Sequence, residues 1–187
     1  MQIYSYFYSL KAKICKSINR GFLITMNRKW MYLVGFLLLV FVAFYVYKKY
    51  RVAPTIDLSQ LNLSDLEGKP VTFDSFNGKK KVVLFSASWC PNCLMELKDI
   101  YSIRAELADV EILVISDEPL EVINAFKESR NYPFTFLKLT RPFNEIGIYS
   151  IPVSYVVNTK QNVMKETVGY LDWKDPSTRE HLKKLMD

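Results

Sequence analysis

Two cysteines, Cys90 and Cys93, stand three positions apart in the short run SASWCPNC. Such a pair can be a redox couple, half of a zinc site, a structural disulfide or a coincidence. The residues just before it, KVVLFSAS, are rich in β-branched and aromatic types and predict a strand buried on both faces. From Pro91 to Leu107 apolar residues recur every three or four positions, which predicts a helix. The pair therefore stands at a junction between a strand and a helix.

This junction gives the two sulfurs different chemistry. Cys90 stands where the helix begins, and the free N–H groups and positive dipole end there lower a thiol pKa from ~8.5 to about 7 or below. Cys93 lies one turn further on and can reach back to form a disulfide with Cys90. We expect an exposed Cys90 to attack a substrate disulfide and Cys93 to resolve the mixed disulfide. Pro91 suits the first helical position, where its missing N–H is not needed.

The other interpretations of the pair are weaker. A structural zinc site needs four ligands, whereas this chain offers one pair, a distant His181 and Cys15 in its basic first stretch. We therefore expect no metal. A structural disulfide across so small a loop would stabilise little, because the entropic gain grows with loop length. A coincidence is disfavoured because two of only three cysteines fall at the junction.

Charge is divided unevenly along the chain. Residues 1–51 contain nine Lys or Arg and no Asp or Glu, whereas residues 52–187 contain sixteen Lys or Arg against nineteen Asp or Glu. The net charge of +6 therefore comes from the first stretch. We expect no nucleic-acid binding, because the basic excess does not lie on the part with strand and helix patterns.

The basic residues of the first stretch bracket an uncharged run of seventeen residues from Met31 to Tyr47. As a helix this run covers roughly 25 Å, at the short end for a hydrocarbon layer of ~30 Å, and interfacial aromatic residues such as Trp30 can extend it. A cleaved signal peptide needs small residues at an A-x-A-like site after the apolar stretch, but FYVYKKYRV stands there. We therefore expect an uncleaved signal anchor.

The orientation of this anchor follows from six positive residues before the span and three after it. The side richer in Lys and Arg stays in the cytoplasm, so we expect the C-terminal part outside it. We divide the chain into a cytoplasmic basic segment (1–29), a transmembrane signal anchor (30–47), a linker (48–55) and a folded domain (56–187). Met26 is an alternative start, in which case residues 1–25 are not translated.

Strand and helix patterns alternate after the linker. IDLSQLNL and PVTFDSF are candidate short strands, VEILVIS is a second buried strand, and DEPLEVINAFKESR is a helix. FTFLKL is a further strand, VSYVVN and VMKETVGY form a hairpin through the turn NTKQN, and PSTREHLKKLM closes as a helix. Parallel pairs together with one hairpin predict an α/β domain with a mixed sheet.

With WCPNC at its junction, this domain resembles the TlpA/ResA-type membrane-anchored thiol-disulfide oxidoreductases, which have a thioredoxin-like fold. DLEGKPVTFDSFNGKKKVVLFSASWCPNC carries the early hairpin, the Gly-Lys turn and the redox motif in the family's order, and GIYSIPVSYVVNTKQNVMKETVGYL resembles its later half. The resemblance covers about residues 56–187. It implies a mixed sheet flanked by helices, a single membrane anchor and dithiol exchange outside the bacterial cytoplasm. We expect no cofactor.

The resemblance also implies roles for single residues. Pro152 matches the cis-proline beside the redox pair and exposes the backbone of Ile151 to an extended substrate strand. Glu96 matches an acidic residue that can move protons, one helical turn from Cys93, although a solvated glutamate on the helix surface is the alternative. Trp89, directly before the pair, is expected to shield the site rather than merely pack. The expected substrate-binding residues are Trp89, Pro91, Ile151 and Pro152.

Two departures from the family pattern leave open to which subfamily the chain belongs, including the one that acts in cytochrome c maturation. Lys98 stands where members commonly have a helix-kinking proline, and Pro-Val-Ser replaces the commoner Pro-Thr-Thr.

Our main hypothesis is a reductant of selected protein disulfides that is regenerated by a membrane thiol carrier and anchored in lipid through residues 30–47. One alternative is a peroxiredoxin-like peroxidase. Such enzymes have Thr or Ser three residues before the peroxidatic cysteine, where this chain has Ala87. The other is a non-catalytic redox-sensing or partner-binding module.

Overall fold

The computed structural model of the protein describes residues 28–186 and contains two units, Met1–Val46 and Tyr47–Asp187. The first described element is helix α1, Arg28–Arg51, which contains the whole uncharged run. It has no buried residue, and its most apolar window has a mean hydropathy of 2.2. By length and composition α1 is a candidate for a single membrane span. Cys15 and the alternative start at Met26 lie outside the described residues.

The second unit is built on a mixed sheet of seven strands in the order β2-β1-β5-β4-β3-β6-β7. Strands β3, β4 and β5 run parallel to one another, whereas β6 is antiparallel to β3, β7 to β6, and β1 to both β5 and β2. The sheet is therefore mixed, as the sequence predicts. The strands are β1 (Leu63–Ser64), β2 (Pro70–Val71), β3 (Lys80–Phe85), β4 (Val110–Ser116), β5 (Thr135–Leu139), β6 (Val153–Val157) and β7 (Val163–Val168).

Two apolar layers cover the faces of the sheet. The same layer receives residues from all three helices, α2 (Pro91–Ser102), α3 (Leu120–Arg130) and α4 (Pro176–Met186). Alternate residues of a strand point to opposite faces of a sheet. Val82 and Leu84 of β3 accordingly pack in the layer with the helices, and Val83 and Phe85 pack in the other layer. The central strand is therefore buried on both faces, which explains its continuous apolar run.

Two sequence predictions about these elements are wrong in extent. IDLSQLNL and PVTFDSF are strand only at β1 and β2, and Leu58–Gln60 and Phe73–Phe76 form 3-10 helices. The Asp57 side chain accepts a hydrogen bond from the Ser59 amide at 3.1 Å, and such local bonds compete with strand pairing. The apolar spacing up to Leu107 likewise extends past the end of α2, because a 3-10 turn over Arg104–Leu107 follows the helix.

The segment between the apolar run and the sheet is attached to the second unit at Pro54. The hydroxyl of Tyr155 donates a hydrogen bond to the Pro54 carbonyl oxygen at 2.7 Å. Gly147 has a φ of 83°, and a β-carbon added there would lie 3.3 Å from Cβ of Pro54. Ala53 and Ile56 pack against the apolar layer that lies opposite the helices. The last residues of the predicted linker are therefore packed against the domain.

Candidate active site

Cys90 is the N-cap residue of α2, and Cys93 lies in the first turn of that helix. Their sulfurs are joined in a disulfide with an S–S distance of 2.19 Å. The backbone amide of Cys93 also donates a hydrogen bond to Sγ of Cys90 at 3.2 Å. Pro91 occupies the first helical position, as expected. The pair therefore lies at the start of a helix, where the backbone N–H of Cys93 points toward the first sulfur.

Both cysteines of the disulfide are covered. Cys90 is 4% exposed and Cys93 is 1% exposed, so the prediction of an exposed Cys90 is wrong for this oxidised form. Ala87 and Ile151 pack against the two cysteines, and the Ile151 carbonyl oxygen lies 3.8 Å from Sγ of Cys90. The sequence pattern did not predict that Ile151 covers the cysteines, because Ile151 lies 61 residues after Cys90 in the chain.

Ile151 and Pro152 lie directly beside the first sulfur. Their peptide bond is cis, as the family resemblance implies. Strand β6 begins only at Val153, which pairs with Phe85 of β3. Ile151 therefore lies next to Cys90 but outside the regular strand pairing of the sheet.

A groove of about 590 Å³ opens beside Cys90. Its apolar lining includes Phe143, Ile148 and Ile151, and Trp89 lines it with 70% of its surface exposed. Trp89 is thus part of the groove wall rather than of the core. The structure brings all but one of the expected substrate-binding residues to this groove, namely Trp89, Pro91 and Ile151.

Glu96 is fully buried in α2, so the alternative of a solvated surface glutamate is wrong. Its Oε1 accepts hydrogen bonds from Ser154 Oγ at 2.8 Å and from Trp173 Nε1 at 3.0 Å. Its Oε2 has no hydrogen-bond partner among the described residues. Burial raises the pKa of Glu96 to about 7, and the Trp173 and Ser154 donors together with the Leu171 backbone N–H counteract part of this rise. The carboxyl group can therefore both hold and release a proton near neutral pH.

A family model described as AhpC/TSA matches residues 51–166 of the chain. The chain belongs to the AhpC/TSA family. It is 25% identical over 164 residues to the thioredoxin-like protein YneN of Bacillus subtilis. This alignment covers 80% of the chain and 95% of YneN. The chain is 26% identical over 129 residues to the thiol-disulfide oxidoreductase ResA of Geobacillus thermodenitrificans. This alignment covers 66% of the chain and 72% of ResA.

The fold of this AhpC/TSA-family chain is also similar to solved structures. The crystal structure of StoA from Bacillus subtilis superposes with a TM-score of 0.53 at 22% sequence identity, covering 72% of this chain and all of that one. The predicted thioredoxin-like fold is therefore confirmed. The relatives and the disulfide-forming cysteine pair together confirm the prediction of a thiol-disulfide oxidoreductase of the TlpA/ResA type.

Sequence reasoning missed a second set of contacts that the AhpC/TSA-family chain makes to α2. Asp99, one turn after Glu96, is buried and accepts a hydrogen bond from the Tyr170 hydroxyl at 2.6 Å. Lys174 Nζ lies 2.5 Å from the same carboxylate. Together with Trp173, these residues tie the redox helix to the segment 170–174. The only signal in the sequence was the run GYLDWKD, whose aromatic and charged residues follow β7.

The loop before Cys90 is held by Glu118, which follows β4. Its carboxylate accepts hydrogen bonds from the Ser88 amide and the Ser88 hydroxyl, each at 2.7 Å, and from the Ser116 hydroxyl at 3.1 Å. Glu118 thus fixes the residues between β3 and α2. The sequence pattern placed this glutamate in the predicted helix DEPLEVINAFKESR, whereas the helix begins only at Leu120.

Metal binding was not expected from the sequence. In residues 28–186, no group of three or more His, Cys, Asp or Glu side chains could hold a metal ion.

Proposed function

We propose that this AhpC/TSA-family protein reduces protein disulfides outside the bacterial cytoplasm while anchored in the cytoplasmic membrane by α1. The observation that carries the proposal is the Cys90–Cys93 disulfide at the start of α2, beside a groove that also reaches Ile151. A disulfide at this place supplies two sulfurs in different environments, as stepwise exchange requires.

The reaction begins with the reduced form of the pair. The Cys90 thiolate attacks a substrate disulfide, forms a mixed disulfide and releases one substrate sulfur, which takes up a proton. Cys93 then loses its proton and attacks Sγ of Cys90, which re-forms the Cys90–Cys93 disulfide and releases the second substrate thiol. Two electrons pass from the pair to the substrate, and a membrane thiol carrier returns two electrons to the pair.

The start of α2 supports Cys90 as the attacking sulfur. The Cys93 amide already points at Sγ of Cys90 in the disulfide form, and the same N–H can stabilise a thiolate there. Pro91 at the first helical position leaves this donor arrangement intact. Cys93 lies deeper, at 1% exposure, so a substrate reaches Cys90 first.

The groove supports binding of an extended substrate segment. Ile151 lies outside the strand ladder and beside the first sulfur, so its backbone is available for β-type pairing with a substrate. Trp89 adds a largely exposed aromatic wall. Pro152 follows Ile151 through a cis peptide bond, and Pro91 lines the groove from the helix side.

Glu96 is the proposed proton acceptor for Cys93. The two residues are three positions apart on α2, so they lie on one face of the helix. A buried carboxyl group whose pKa is about 7 is matched to proton transfer near neutral pH. Glu96 thus supports the second step of the exchange, in which Cys93 must become a thiolate.

The length of α1 and the charge distribution support the anchor and its orientation. The helix is long and apolar enough to cross a bilayer, and positive residues are more numerous before the span than after it. The division into a cytoplasmic segment (1–29), an anchor (30–47), a linker (48–55) and a domain (56–187) is part of this proposal. Lipid contact is through residues 30–47, and the partners are protein disulfides and the membrane thiol carrier.

A peroxidase is the closest enzymatic alternative within the AhpC/TSA family. Ala87 is buried beside Cys90 and Cys93 and carries no hydroxyl that could assist a peroxide. The second cysteine one turn away favours dithiol exchange with proteins instead.

The first experiment measures the midpoint potential of the Cys90–Cys93 couple and insulin reduction by the full-length protein in detergent. We expect a potential well below the ~−180 mV of isomerase-like proteins and reduction that Cys90→Ser abolishes. A potential near ~−120 mV would reverse the direction of electron flow. Reduction that survives Cys90→Ser would refute the catalytic assignment. Partner binding that a Cys90→Ser/Cys93→Ser double variant restores would instead favour the non-catalytic module.

The second experiment tests sidedness. External protease added to intact spheroplasts is expected to degrade the domain, because we place it outside the cytoplasm. Protection of the domain until the membrane is permeabilised would place it inside.

A further inference from the structure

The carboxyl group of Glu96 is held by two residues that lie far from it in sequence. Ser154 in β6 and Trp173 before α4 both donate to Oε1, across sequence separations of 58 and 77 residues. Ser154 is 1% exposed and Trp173 is 0% exposed. Oε2 has no partner in the part of the chain that the structure describes. Two donors on one oxygen fix the carboxyl plane and leave Oε2 as the oxygen that can take up a proton.

The chemistry of these donors favours the ionised carboxylate. An indole N–H can donate but cannot accept a hydrogen bond, so Trp173 requires an acceptor oxygen at Oε1. Hydrogen bonds to a carboxylate stabilise its charged form, whereas burial disfavours that form. Burial raises the pKa of Glu96 to about 7, while the Trp173 and Ser154 donors and the Leu171 backbone N–H lower it and the Asp99 charge adds a smaller rise.

We infer that Ser154 and Trp173 are positioning residues that set the pH at which Glu96 accepts the proton of Cys93. The inference rests on the proposed disulfide reduction. As the Cys93 thiol gives its proton to Oε2 of Glu96, its sulfur attacks Sγ of Cys90. The bond between Cys90 and the substrate sulfur breaks, and the substrate leaves as a thiolate that takes up a proton from water. Glu96 later returns its proton to solvent.

The other charged groups near Glu96 belong to its own helix and to the segment 170–174. Asp99 raises the pKa of Glu96 by like charge, but less than burial does. Tyr170 and Lys174 are both bound to Asp99 rather than to Glu96. This arrangement provides a matched control, because the Asp99 contacts can be changed while the donors to Glu96 stay in place. The titratable groups within one helical turn of Glu96 or in the segment 170–174 are Cys93, Lys98, Asp99, Tyr170, Asp172 and Lys174.

The test uses full-length protein in detergent with four variants. Trp173→Phe removes the indole donor and keeps an aromatic ring, and Ser154→Ala removes the hydroxyl donor. Ser154→Thr keeps a hydroxyl and introduces the residue that the family commonly has there. Tyr170→Phe removes a donor to Asp99 and is the control. Two quantities are measured against pH: the single-turnover rate of substrate release from the Cys90 mixed disulfide, and the carboxyl ¹³C shift of Glu96 in glutamate-labelled protein.

We expect Trp173→Phe and Ser154→Ala each to raise both pH midpoints by about one pH unit, because a lost hydrogen bond to a charged group is worth about that much. Ser154→Thr and Tyr170→Phe are expected to keep the wild-type midpoints. Unchanged midpoints in folded Trp173→Phe and Ser154→Ala would overturn the inference. If Trp173→Phe does not fold, the comparison of Ser154→Ala with Ser154→Thr decides.

The two measurements also separate this inference from the proposed function. A wild-type protein that reduces no disulfide would refute the proposed function, but the ¹³C titration would still show whether the two donors set the protonation of Glu96. An active wild type with an unmoved ¹³C midpoint in Ser154→Ala would refute the inference alone.

Discussion

The Cys93 amide donates to the Cys90 sulfur at 3.2 Å, so the two cysteines are joined by a hydrogen bond as well as by the disulfide. The hydrogen bond does not depend on the covalent bond, because Cys90 is the N-cap of α2 and the N–H of Cys93 has no carbonyl partner within the helix. The Cys90 sulfur is therefore expected to keep a donor beside it when the disulfide opens.

This relationship predicts different outcomes for the two cysteine substitutions. In a Cys15→Ser background, Cys93→Ser is expected to accumulate a mixed disulfide with a substrate protein, because attack proceeds and resolution fails. Cys90→Ser is expected to form none. Non-reducing gels with mass spectrometry of the trapped species provide the measurement. Trapping through Cys93 in Cys90→Ser would show that the order of attack is reversed.

The buried Glu96 predicts a pH-dependent stability. Burial raises its pKa from 4.5 to about 7 in the folded state, so between these values the folded protein binds more protons than the unfolded chain. The free energy of unfolding should therefore fall as pH rises through this window, by about 3 kcal/mol in total. Glu96→Gln should remove this fall.

Urea unfolding of the oxidised protein at pH 5 and pH 8 measures the effect. Glu67→Gln, in an exposed turn, is the control and should retain the wild-type dependence. The same stability difference between wild type and Glu96→Gln at both pH values would contradict a raised pKa.

The contacts of Glu118 predict a defect in the loop before Cys90. Glu118→Ala leaves the Ser88 amide without its acceptor, which should lower the free energy of unfolding by about 1 to 2 kcal/mol and slow the attack by Cys90. The exposed Glu121 in the first turn of α3 provides the control, and Glu121→Ala should change stability by less than about 0.5 kcal/mol. Equal effects of the two substitutions in urea unfolding would argue against the positioning of this loop by Glu118.

The hydrogen bond from Tyr155 to Pro54 predicts how firmly the preceding segment is attached. Tyr155→Phe removes the donor and should lower the free energy of unfolding by about 1 kcal/mol, and it should speed protease cleavage within residues 48–55. Tyr132→Phe keeps the ring contacts of Tyr132 with Tyr101 and Phe134 and is the control. Limited proteolysis with mass mapping provides the measurement, and an unchanged cleavage rate would show that the bond does not restrain this segment.

Local patterns predicted the parts of the fold that depend on neighbouring residues. The buried runs of β3 and β4 and the periodicity of α2 all correspond to real elements. The short strands near the start of the domain were predicted too long, because β1 and β2 are paired over only two residues each. Their flanks form 3-10 turns that apolar alternation does not reveal, and the first of these is capped by the Asp57 side chain.

The site was predictable in its sulfur chemistry but not in its surroundings. The spacing of the cysteines indicated the disulfide, and the family resemblance indicated Pro152 and Glu96. The cover over Cys90 and the donors from Ser154 and Trp173 depend on contacts between residues 58 to 77 positions apart. No periodicity within one segment can specify such contacts, because the sheet topology decides which segments meet.

The two outer strands of the sheet bear on how copies of this domain behave when they are crowded together. Unpaired strand edges promote edge-to-edge aggregation. At one edge β2 has only two residues and begins with Pro70, which lacks an N–H for pairing. At the other edge β7 carries Lys165 and Glu166 in its middle. Both edges are thus poor templates for a neighbouring chain, which favours solubility of the domain at high local concentration.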